Sequence, residues 1–117
     1  MAGARMKNEK FFAHMVFFKL MDLSDHAVET FLDACVTYLS GHLGQVHFSV
    51  GLRAVDIARD VSDTGFDVAM HVVFAGREKY DEYAASKAHE EFITVTAGLS
   101  TGRRVFDSYI ERAVKGL

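Results

Sequence analysis

The segment Phe11–Leu20 (FFAHMVFFKL) is apolar at both its even and its odd positions, and no other feature constrains the fold as much. In an extended strand successive side chains point to opposite faces. One face then carries Phe12, His14, Val16, Phe18 and Leu20, and the other Phe11, Ala13, Met15, Phe17 and Lys19. The run is aromatic-rich, and its 10 residues are too few for a bilayer-spanning helix. It reads as a strand with neither face committed to water. A sheet built around it needs a cover on both sides.

The rest of the chain supplies one cover. Asp22–Asp25 starts a helix, with Ser24 or Asp25 as cap and Glu29 near the positive end of the dipole. Val28, Phe31, Leu32, Cys35, Val36 and Leu39 then recur at helical spacing until Gly41 and Gly44. Val46–Val55 reads as a second strand, with Phe48, Val50 and Leu52 on one face. Phe66–Ala75 reads as a third, with Phe66, Val68, Met70, Val72 and Phe74 together, and a hairpin joins the two across the turn-rich Asp60–Gly65 loop. A second helical region opens at Gly76, with Tyr80, Tyr83 and Ala84 on one face and His89, Phe92, Ile93 and Thr96 on another. Gly98–Gly102 closes it, and Arg104–Ile110 is the fourth strand. The chain has no proline, so glycines and polar clusters carry all the punctuation.

Strand, helix, strand, strand, helix, strand is the ferredoxin-like α+β order. It makes a four-stranded antiparallel sheet with two helices on one face. Residues 11–111 form that unit, between tails at 1–10 and 112–117. The uncovered face of such a sheet should alternate to polar side chains. Here it offers Phe11, Met15, Phe17, Ala69, Val73 and Phe106, with His71 among them. A second copy presenting the same face is the simplest cover, and gives a homodimer through Met15, Phe17, His71 and Phe106. Two such sheets face to face form a dimeric α/β barrel.

Composition removes several classes of function. The net charge is −3, and no run of Lys or Arg exceeds 2 adjacent residues, so the footprint of a nucleic-acid binder is absent. The single Cys35 excludes an internal disulfide and a multi-cysteine metal site. None of the 6 histidines forms a His-x-His or an i, i+4 pair, so no metal is expected. Phosphate-cradling glycine patterns are missing as well, and no cofactor is implied. No segment reads as a leader or a membrane span, and a reducing cytoplasm is the expected compartment.

Several short motifs, in this order, resemble the stress-responsive dimeric α/β-barrel family, often called Dabb. They are His14-Met15-Val16-Phe17-Phe18-Lys19-Leu20, His42-Leu43-Gly44, Ser49-Val50-Gly51, Gly65-Phe66-Asp67, Tyr83 through His89 followed by Phe92, and Val105-Phe106-Asp107. The resemblance spans residues 12–111. It implies a homodimer with a small cavity between each sheet and its helices. Most members have no established reaction. A minority, similar to the plant olivetolic acid cyclase, close a polyketide ring by aldol chemistry, using a Tyr and a His six residues later; Tyr83 and His89 match those positions. His14 matches a further pocket His. The chain departs from the family at Ser86-Lys87-Ala88-His89, where His-Pro-Ala-His is usual, at Val68, which replaces another pocket His, and at Leu43, which replaces the Pro of His-Pro-Gly.

Tyr83 and His89 are therefore the candidate catalytic pair. A near-neutral imidazole can take a proton alpha to a carbonyl while a phenol donates to the developing enolate oxygen. Six residues along an unbroken helix turn through about 600°, which leaves the two side chains about 120° apart. They meet only if the helix breaks near Ser86-Lys87. The expected ligand-binding lining is His14, Val16, Phe18, Phe31, Cys35, Phe48, Met70 and Phe92, around a small apolar or aromatic molecule. For His14 and His89 a purely structural hydrogen bond is the competing reading, and Asp107 is expected to make one too. Four functions stay open: a homodimeric binding protein, a cyclase-like enzyme using Tyr83 and His89, a cofactor-free oxygenase similar to the antibiotic-biosynthesis monooxygenases that share the barrel, and a stability or stress-related protein whose dimer is itself what selection maintains.

Overall fold

The computed structural model describes residues 10–114, so nearly all of the expected N-terminal tail and half of the C-terminal one lie outside the described residues. Its elements are β1 (Phe12–Leu20), α1 (Asp25–Leu39), β2 (Gln45–Leu52), β3 (Val68–Phe74), α2 (Arg77–Ala84), α3 (Lys87–Thr96) and β4 (Ser100–Tyr109). The doubly apolar β1 occupies an inner position of an antiparallel sheet of order β2-β3-β1-β4, the ferredoxin-like arrangement. Register places Val16 between Met70 and Val105, and Phe17 between Ala69 and Arg104. Side chains therefore stack by parity across the strands.

On the helix side, Phe12, His14, Val16, Phe18 and Leu20 of β1 are all buried, as are Val68, Met70, Val72 and Phe74 of β3. α1 covers them with Phe31, Cys35 and Leu39, each fully buried, while Val36 turns outward. Ser24 caps this helix by accepting from the Ala27 amide at 3.3 Å. The chain leaves α1 through Gly41 and Gly44, whose φ of +74° and +89° L side chains rarely adopt. The Gln45 side chain then donates from Nε2 to the Leu39 carbonyl at 2.7 Å, so one of the helix's last carbonyls has a partner.

The main departures from the expected boundaries have local reasons. The second helical region is two helices, α2 and α3, because Ser86 leaves the helical path. Its hydroxyl donates to the Tyr83 carbonyl at 2.7 Å and accepts from the His89 amide at 3.2 Å. One serine thus ends one helix and caps the next. β4 begins at Ser100, not Arg104, since Leu20 and Lys19 pair with Ser100 and Gly102 across the sheet. β2 ends at Leu52, which is exposed, and residues 53–67 join it to β3 as a long connection. There the Arg53 side chain donates to the Phe66 carbonyl at 3.0 Å.

No helix covers the other side of the sheet. Phe66, expected on the helix side with Val68, precedes β3, so strand parity does not govern it, and it lies here instead, edge-on to Phe17 (5.0 Å between centroids). Phe17 also meets Phe106 edge-on (5.7 Å), and His71 lies 6.4 Å away. Met15 and His71 are half-buried and Phe106 is 54% exposed. Among the described residues no helix is long and apolar enough to cross a membrane.

Candidate functional site

The helix break at Ser86 is what builds the site. It swings α3 so that the His89 ring meets the Tyr83 ring edge-on, with centroids 5.2 Å apart. Tyr80 and Tyr83, one turn apart on α2, both face the sheet. There they pack on Phe74 at 5.7 and 4.9 Å, and Tyr80 also packs on Phe12 at 4.7 Å. His42, just beyond α1, donates from Nε2 to the Tyr38 carbonyl at 2.8 Å and sets its ring 5.0 Å from Tyr83.

β1 contributes His14, whose register partner on β4 is Asp107. Its Nδ1 lies 2.5 Å from the Asp107 carboxylate. In the neutral ring, an N–H donated to that carboxylate leaves Nε2 as the lone-pair nitrogen, so Asp107 sets tautomer and orientation together. The His14 ring is 5.0 Å from Tyr80 and 6.1 Å from Tyr83.

These side chains surround a cavity of about 260 Å³ between β1, β4 and the α2–α3 pair. Its floor is Val16, Phe18 and Met70; its roof is Tyr83, His89 and Phe92, with His14 at one end. β4 is an edge strand that the helices leave exposed along most of its length, so its inward side chains Arg103 and Val105 form the open wall.

Seven of the ten residues expected around a ligand are therefore gathered here, Tyr83 and His89 among them. Phe31, Cys35 and Phe48 are not. Phe31 and Cys35 are sealed into the core, Phe31 edge-on to Phe18 and Phe92 at 4.9 and 5.9 Å. Burial pushes the Cys35 thiol up to about 12, leaving it inert at neutral pH. Phe48 packs half-buried on the core from β2. Helical and strand periodicity reports burial, and a filled core satisfies it as well as a cavity does. Tyr80, Arg103 and Asp107 were not anticipated as site residues. The signal for the latter two was the alternation Arg103, Val105, Asp107 on β4, polar at both ends of a face that should have been dry.

The Tyr83 hydroxyl is buried and has no hydrogen-bond partner among the described residues. Burial holds its pKa well above the ordinary phenol value, with smaller contributions from Cys35 and Tyr80, so it is a protonated donor. His89 is shifted the other way: burial first, then repulsion from His14, Arg103 and His42, hold its imidazole below the usual histidine value. At neutral pH the site thus combines a phenol donor with an uncharged imidazole.

That depression makes His89 a cost in acid. A histidine with a lowered folded-state pKa stabilises nothing extra at high pH, and the unfolded chain binds its proton first as pH falls. Unfolding free energy is expected to drop as pH is lowered below about 6.5, the unperturbed value, towards 5. In His89→Gln that slope should be shallower, measured by urea denaturation across the range. An unchanged slope rejects the assignment.

The family described as the stress responsive A/B barrel domain matches residues 12–110. Among solved structures, the chain is similar to a Dabb family protein of ferredoxin-like fold from Mesorhizobium loti, with a TM-score of 0.71 at 21% identity, covering 86% of this chain and 97% of that one. A dimeric ferredoxin-like protein of unknown function from Thermobifida fusca gives 0.71 at 13% identity, covering 94% and 100%. A hydroxynitrile lyase from Passiflora edulis gives 0.70 at 16%, covering 91% and 98%. No curated protein matches in sequence. At these identities the solved structures speak for the fold alone.

Proposed function

The chain belongs to the stress responsive A/B barrel domain family, and we propose that it works as a homodimer holding a small, mainly apolar or aromatic molecule between its sheet and α2–α3. The observation that carries this function is the buried, unpartnered hydroxyl of Tyr83, a residue of the cavity lining. A buried hydroxyl without a partner costs about 1–3 kcal/mol. A ligand oxygen accepting from it recovers that cost on binding, which ties stability to occupancy. The second copy supplies the cover for Met15, Phe17, His71 and Phe106, and the Thermobifida fusca neighbour of the same fold is described as dimeric. A reducing cytoplasm suits the lone, buried Cys35.

Thermal shift against a panel of small aromatic ketones and phenols tests it, since a ligand that binds the native state raises Tm. Tyr83→Phe should unfold no earlier than the parent, having lost an unsatisfied group. Its affinity for the same compounds should be about 3- to 10-fold weaker, the worth of one neutral hydrogen bond. A panel with no binder, or binders indifferent to Tyr83→Phe, overturns the proposal.

The Asp107–His14 pair favours a second function on the same site, in which the bound molecule is a substrate. His14 Nε2 or His89 would take a proton beside a carbonyl, and Tyr83 would donate to the oxygen that gains charge. In that case His14→Phe and His89→Ala abolish turnover, whereas in a binding protein they only weaken binding.

A further inference from the structure

Arg103 stands on the open wall of the cavity, and its register partner on β1 is Phe18, so it projects to the helix side. Three other arginines are engaged: Arg53 by the Phe66 carbonyl, Arg77 by Asp81 and Tyr109, and Arg104 by Asp63. Among the described residues no hydrogen bond or ion pair engages Arg103. No aspartate or glutamate lines the cavity either. Asp107, on the same strand and face, is bound to His14, and the Thr96 hydroxyl is donated to the Phe92 carbonyl at 2.6 Å. A chain of net charge −3 has thus placed an unpaired cation over an apolar floor with no carboxylate beside it.

We infer that the cavity selects a small monocarboxylate, its carboxylate on Arg103 and its apolar body over Val16, Phe18 and Met70 towards Tyr83. This rests on the pocket function proposed above and adds the charge class of the ligand. The planar guanidinium presents paired N–H donors that match a carboxylate's two oxygens. A dianion such as a phosphomonoester is disfavoured, because a second fixed cation is missing: His89 is held uncharged by burial, and Arg103 itself adds to that. About 260 Å³ suits one ring or a short acyl chain beyond the carboxylate.

Calorimetric titration of the full chain with phenylacetate and with its neutral isostere phenylacetamide, at low ionic strength, tests the inference. The carboxylate should bind the parent at least about tenfold more tightly, as expected of a charge-assisted pair. Arg103→Gln, at an exposed strand position, should fold normally by circular dichroism and bind the two probes equally. Arg103→Lys should recover part of the preference. Equal affinities in the parent, or a preference that survives Arg103→Gln, overturn the anion assignment and leave the pocket standing. Binding of neither probe overturns both.

Discussion

Light scattering of a Phe106→Glu variant is expected to return a 13.0 kDa particle, where the parent returns twice that mass. Phe106 is 54% exposed, so its removal takes little from the protomer's own core, and its ring is the outermost of the cluster with Phe17 and Phe66. In a two-fold interface every substitution occurs twice. Covering the exposed half of a phenylalanine is worth about 1 kcal/mol per copy. Forcing a carboxylate into the same position adds a desolvation penalty of several kcal/mol per ion. Together these weaken association by about a thousandfold or more, at 1.4 kcal/mol per factor of ten. Phe106→Ala, which removes the ring without adding charge, should weaken the dimer less. A parent that is already monomeric at micromolar concentration sinks the dimer, and so does a glutamate variant that stays associated.

The layer structure was legible because β1, β3 and α1 are built from strict apolar periodicities, and burial follows parity and helical spacing closely. The helix break was legible only as a condition. Tyr83 and His89 share a pocket if the helix is interrupted, and with Lys87 where the family has proline the sequence offers no steric reason for an interruption there. Ser86 supplies it by hydrogen bonding, a device that leaves no steric signature in the sequence. The lining was less legible still. Phe31 and Cys35 are as periodic as Phe92, yet only Phe92 reaches the cavity. What separates them is which strand the helices fail to cover. That is settled by the spacing of three helices over four strands, not by any one residue. Asp107 was read correctly as a hydrogen-bonding residue, but its partner His14 is 93 positions away and only register joins them.

Phe31→Ala is expected to be the most damaging single truncation on the helix side of this fold. Phe31 has 0% exposure, and its ring stands edge-on to both Phe18 and Phe92, bridging β1 to α3. Truncating a buried phenylalanine to alanine costs about 3–5 kcal/mol, from lost transfer energy and the void left behind. For about 100 residues, each kcal/mol lowers Tm by about 4–8 °C, so a fall of at least about 12 °C is expected. Val36→Ala in the same helix is the control. Val36 is 51% exposed, and its loss should stay within about 0.5 kcal/mol. A small loss at Phe31 would mean that α1 does not seal the sheet. The consequence reaches the site as well, because Phe18 and Phe92 form floor and roof of the cavity while Phe31 props both from behind. With the prop removed, the two rings can relax into the void, and probe binding should weaken even at temperatures where the variant remains folded. Intact binding in a destabilised Phe31→Ala variant would separate the cavity from the core behind it.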